Sequence, residues 1–103
     1  MNAITQHVPK NSTKAICFPL GHLVSTPGAL ALLDQMAVNA YELIQRHQHG
    51  DWGNVPPEDA EENENAILNG NRILSSYELG DKRIWIITES DRSSTTLLLP
   101  EEY

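Results

Sequence analysis

The stretch from Arg72 to Leu99 limits this chain more than any other. Arg72–Leu79 and Lys82–Glu89 are rich in β-branched and aromatic residues, and only Gly80-Asp81 separates them. Glycine supplies the positive φ of a tight primed turn, so the two runs predict a hairpin. Ser90–Ser93 is a second polar turn, and Ser94–Leu99 is a third β-prone run that Pro100 stops. Along the middle run Ile84, Ile86 and Thr88 point one way and Trp85 and Ile87 the other. Apolar side chains on both faces mark a central strand with something packed on each side, or a sheet with a partner. Three strands alone are marginal, so helices are expected upstream.

The sequence supplies three. Ser25-Thr26-Pro27 is a helix start, with a hydroxyl to cap free N–H groups and a proline where its missing donor costs nothing. Ala29, Leu32, Leu33 and Met36 follow on one face, and the helix is expected to end near Ala37. Asn39 with Glu42 has capping-box spacing and opens a second helix, whose inner stripe is Ala40, Leu43, Ile44 and His47 and which Gly50 stops. Pro56-Pro57 opens a third, with acids in its first turns and Gly70 at its end. Glu58, Asp59, Glu61 and Glu62 fall on its solvent side, whereas Glu64 lies among Ala60, Ile67 and Leu68 and needs a partner or a purpose.

Residues 1–14 are polar and aperiodic and read as a flexible arm. Residues 15–103 then form a single α+β domain, three helices followed by a three-stranded antiparallel meander. Ala15–Phe18 or His22–Ser25 can add a short N-terminal edge strand. Leu33, Ile44, Ile67, Trp85, Ile86 and Leu98 are the expected core.

The 103 residues leave room for one core, and they contain neither a membrane-length apolar stretch nor a signal-like start, so the expected address is the cytoplasm. Cys17 is a lone thiol and reads as a small core residue. Of the net charge of −7, residues 1–50 contribute about +1 and residues 51–103 about −8. Such a balance argues against direct nucleic-acid binding and suits a basic partner protein.

Three groups of residues can carry chemistry. His47-Gln-His49-Gly-Asp51 resembles the His-x-His-x-Asp metal run of metallo-β-lactamase-type hydrolases, but the chain is too short for that fold and no metal or cofactor is expected. His47 and Glu64, on inner faces of two helices, can form a His–carboxylate base or a buried structural pair, with Arg72 or Arg92 as other partners for Glu64. Arg92 beside Ser93, Ser94 and Thr95 can hold a phosphate, although these are also ordinary turn and strand residues.

At several of these positions the chain resembles a family of short bacterial proteins labelled plasmid-related. The resemblance spans about residues 20–103 and is carried by Leu23–Leu30, Arg46-His47, Gly50–Gly53, Glu62–Glu64, Arg72–Ser75 and, above all, Ile84–Pro100 with the terminal Tyr103. It implies a context of mobile genetic elements and no mechanism. A looser likeness, in element order, is to barnase-like and toxin-type ribonucleases, in which His47 or Glu64, Arg92 and Thr95 or Thr96 would fill the catalytic roles.

Two functional expectations follow. The first is a small acidic accessory factor that occupies a basic surface of a nucleic-acid-handling host protein through Glu58, Asp59, Glu61 and Glu62, anti-restriction or anti-CRISPR inhibition being the concrete version. The alternative is a toxin-type ribonuclease built on His47, Glu64, Arg92 and Thr95. A homodimer, through an edge strand or the outer sheet face, is compatible with either.

Overall fold

The computed structural model describes residues 15–103, so the arm expected over 1–14 lies outside the described residues. The elements run β1 (His22–Ser25), α1 (Pro27–Gln35), α2 (Ala40–Gln48), α3 (Pro57–Asn69), β2 (Ile73–Leu79), β3 (Lys82–Thr88) and β4 (Ser94–Leu98), closed by a 3-10 turn over Pro100–Glu102. The expected α+β order is present. β2, β3 and β4 form the antiparallel meander, and β1 pairs parallel with β4, giving a mixed sheet of order β1-β4-β3-β2. Of the two candidate edge segments, His22–Ser25 takes the strand and Ala15–Phe18 does not.

The caps explain where the helices start. The Thr26 hydroxyl accepts from Ala29 N at 3.0 Å with Pro27 next in line, and Asn39 Oδ1 accepts from Tyr41 N at 2.9 Å. α3 has no side-chain cap and begins on Pro57, then ends at Gly70 in the left-handed conformation. No helix among the described residues is long and apolar enough to cross a membrane.

One face of the sheet carries Tyr77, Leu79, Ile84, Ile86 and Leu97, which pack with Ala29, Leu32, Leu33, Leu43 and Ile44 of the first two helices. A second cluster, Phe18, Trp52, Ala66 and Ile73, fills the space beside α3. Leu33, Ile44, Ile86 and Leu98 are buried as expected. Ile67 is only partly buried, and Leu68 is 85 % exposed rather than part of the inner stripe of α3, where Asn63 and Ala66 are buried instead.

Trp85 is also only partly buried, and it lies on the other face of the sheet beside the buried Ile87 and Leu98. There the C-terminal Tyr103 packs edge-on to the indole at 5.7 Å, and Arg72 donates to its hydroxyl at 2.8 Å. Arg72 also pairs with Glu89 at 3.2 Å. Ile87, two residues along the same face from Trp85, is buried. The Glu102 carboxylate fixes this tail by accepting from Thr26 Oγ1 at 2.6 Å and from Leu99 N at 2.8 Å.

Candidate functional site

The candidate residues divide between a sealed interior network and an open helical surface. His47 is fully buried between α2 and the sheet. Its Nδ1 lies 2.6 Å from Ser75 Oγ and its Nε2 lies 2.9 Å from Thr88 Oγ1. Thr88 Oγ1 is 2.7 Å from Thr95 Oγ1, which donates to the carbonyl of Leu20 at 2.7 Å. That terminal carbonyl can only accept, so it sets the direction of every proton in the row. Thr95 gives its hydrogen to Leu20, Thr88 gives its own to Thr95, and His47 must donate from Nε2 to Thr88. Nδ1 is then the bare nitrogen that accepts from Ser75.

The row crosses the sheet from β2 to β4 with each hydroxyl proton used once. His47 is neutral here because burial pushes the imidazole down to about 3, and the nearby Arg92 charge acts in the same direction. A Ser–His contact of this length has the geometry of a nucleophile and its base. Yet Ser75, His47, Thr88 and Thr95 are all buried, so no substrate reaches them. A shallow cavity of about 430 Å3 lies between α1, the Asp81–Arg83 turn and the Leu99–Glu101 segment, and none of His47, Glu64, Arg92 or Thr95 lines it.

The His47–Glu64 pair expected from the sequence does not form. Trp52 touches both residues: its ring lies 6.1 Å from the imidazole and its Nε1 donates to Glu64 at 3.1 Å. Neither arginine proposed for Glu64 turns to it. Arg72 goes to Glu89 and Tyr103, and Arg92 to main-chain carbonyls. Glu64 thus has a partner in an indole, a donor that charge arguments do not reveal.

Arg92 is also not arranged as a phosphate clamp. It adopts φ 61°, a conformation uncommon outside glycine, and its guanidinium reaches back to the end of α3. One terminal nitrogen donates to the carbonyls of Asn71, Glu89 and Ser90, the other to Ala66, and the group stacks 5.7 Å from the Phe18 ring. These bonds tie the β3–β4 turn to the C-terminal end of α3, where Ala66 O also accepts from Gly70 N at 2.8 Å. Beside it, Asp91 accepts from Ser93 N at 3.0 Å in an ordinary Asx turn.

The residues of the alternating His47–Asp51 run go to separate partners. His49 Nδ1 meets Gln45 O at 2.8 Å, and Asp51 pairs with Arg46 at 2.7 Å. Among the described residues no group of three or more His, Cys, Asp or Glu is placed to hold a metal ion.

The acidic set is different. Glu58, Asp59, Glu61 and Glu62 are all exposed, α3 contains no Lys or Arg, and none of the three ion pairs among the described residues involves them. Leu68 lies two turns beyond Glu61 on the same outward side.

Asn63 escapes a reading of sequence because it looks like a solvent residue. Its position between Ala60 and Ala66 on the inner stripe is the signal that could have found it. Its amide donates to Leu74 O at 2.8 Å and accepts from Leu74 N at 3.2 Å, completing the outer edge of β2 as a neighbouring strand would. Comparison with family models, with curated proteins and with solved structures gives no match to this chain, so the reading of its site rests on geometry.

Proposed function

We propose that this chain is an acidic, protein-binding accessory factor that occupies a basic surface of a nucleic-acid-handling protein. The observation that carries the reading is the N-terminal half of α3, where Glu58, Asp59, Glu61 and Glu62 stand exposed in a helix without a basic residue. A rigid helix presents such charges at fixed spacing, which favours fast association with a basic partner. Leu68, at the far end of the same side, offers an apolar contact beside the charges.

The reading takes its context, mobile genetic elements, from the plasmid-related resemblance, and anti-restriction or anti-CRISPR inhibition is its concrete form. The ribonuclease alternative gains nothing from the geometry. Its histidine is sealed in the core, its Glu64 accepts from Trp52 rather than meeting that histidine, its cation is engaged by four carbonyls, and its threonine hydroxyl is bonded inside the core.

The test is capture of partners from nuclease-treated bacterial lysate at low and high salt, by wild-type protein and by a Glu58→Lys, Glu61→Lys, Glu62→Lys variant. One basic, nucleic-acid-handling protein retained only by wild type and released by salt supports the proposal. Equal retention by the reversed variant at low salt refutes it.

A further inference from the structure

We infer that two copies of this chain pair antiparallel through β1, with Val24 on the two-fold axis, to make one continuous eight-stranded sheet. His22 N donates to Ser93 O at 3.0 Å and Thr26 N donates to Leu97 O at 3.0 Å. Even-numbered residues of β1 therefore face β4, and the N–H and C=O groups of Leu23 and Ser25 face away from the sheet. β1 is an edge strand, and its residues His22, Leu23 and Val24 are exposed.

The edge is bounded symmetrically. Three residues before Val24, Gly21 leaves the strand at φ 67°, where an added Cβ would come within 2.4 Å of the Ser93 backbone. Three residues after it, Pro27 has no N–H to give. Only Leu23 and Ser25 remain to pair.

An antiparallel second copy fits this short edge in one register. Leu23 opposite the partner's Ser25, and Ser25 opposite the partner's Leu23, exchange four hydrogen bonds and satisfy every outward group. Val24 then faces the partner's Val24 in a non-hydrogen-bonded pair, where side chains approach closest. Moving the axis to Leu23 or Ser25 would require Gly21 or Pro27 to join the ladder. The side chains suit the pairing, since Leu23 is 54 % and Val24 48 % exposed.

Charge favours a second copy over a basic partner here. Residues 15–33 contain no Asp, Glu, Lys or Arg in a chain of net charge −7, so this edge lacks the charged side chains that normally block edge-to-edge pairing. α3 packs beside β2, at the opposite edge. In the dimer the two acidic helices would stand on the order of 30 Å apart, several Debye lengths at physiological salt. Repulsion between them does not oppose the contact.

The experiment is sedimentation equilibrium of the full chain across a wide concentration range. Wild type is expected to rise from 11.5 kDa to twice that mass. Val24→Lys places two like charges across the axis and should weaken the dimer roughly 100-fold. The triple Lys variant of α3 should leave it unchanged, which separates this inference from the acidic-surface proposal. In a Cys17→Ser background, Val24→Cys should cross-link under mild oxidation and Leu23→Cys should not, because only position 24 meets its own copy within disulfide reach. A monomer at all concentrations, a dimer indifferent to Val24→Lys, or cross-linking at position 23 in place of 24 would each overturn the pairing.

Discussion

The two edges of this sheet are finished in opposite ways. At β2 the outward groups of Leu74 meet the Asn63 amide, and those of Ser76 meet Trp52 O at 3.0 Å and Asn54 N at 2.6 Å. Arg83 reinforces that edge by reaching Asn54 O, Ser76 Oγ and Glu78. Among the described residues nothing comparable caps β1, where Leu23 and Val24 are exposed. A protein closes an edge it must keep to itself, and the β2 edge shows that this chain has the means. The open β1 edge is thus a place where the chain can accept a neighbour.

The buried row from Ser75 to Leu20 ties the sealed side of the sheet to the open side, and breaking it should give the largest effect. Folded His47 stays neutral down to about 3, whereas in the unfolded chain it titrates near 6.5. Protons therefore bind the unfolded state first. The stability that depends on neutral His47 is complete above pH 6.5 and falls as the pH drops toward 3, by roughly 4–5 kcal/mol over the whole window and about 2 kcal/mol between pH 6.5 and 5. Urea unfolding at these pH values measures it. In His47→Gln, less stable throughout, the slope between pH 6.5 and 5 should largely disappear.

Unsealing the β2 edge comes next. Asn63→Leu leaves the Leu74 N–H and C=O without their buried partner and should cost roughly 2–4 kcal/mol by denaturant unfolding. Gly53→Ala attacks the same edge through sterics. Gly53 has φ 74°, and an added Cβ would come within 2.1 Å of Ser76 O, so a loss of about 2–3 kcal/mol is expected. At the open edge Val24→Lys, measured under dilute conditions, should change the unfolding free energy by no more than about 0.5 kcal/mol. If Val24→Lys proved as damaging as Asn63→Leu, the contrast between the edges would fail.

Much of the frame is legible in the sequence because its signals are local. Gly80-Asp81 fixes the β2–β3 turn, Thr26-Pro27 and Asn39 fix two helix starts, and alternation along Ile84–Thr88 separates the faces of β3. The parallel pairing of β1 with β4 joins residues about seventy apart, and no turn residue announces it. The candidate site is less legible still. His47 can be placed on an inner stripe by periodicity, but its partners Ser75 and Thr88 come from strands far along the chain. Thr88, on the same row as Ile84 and Ile86, carries a readable hint, since a hydroxyl on a buried row requires a polar partner. Arg92 reads as an anion ligand by composition, and only the fold shows it turning back onto carbonyls.

Amide hydrogen exchange, resolved by residue at low and at high protein concentration, tests the contrast between the edges most directly. In dilute protein the Leu74 and Ser76 amides should be protected while those of Leu23 and Ser25 exchange rapidly, and at high concentration Leu23 and Ser25 should slow selectively. Protection of Leu23 and Ser25 in the dilute monomer, or exchange of Leu74 and Ser76 as fast as theirs, would contradict the account.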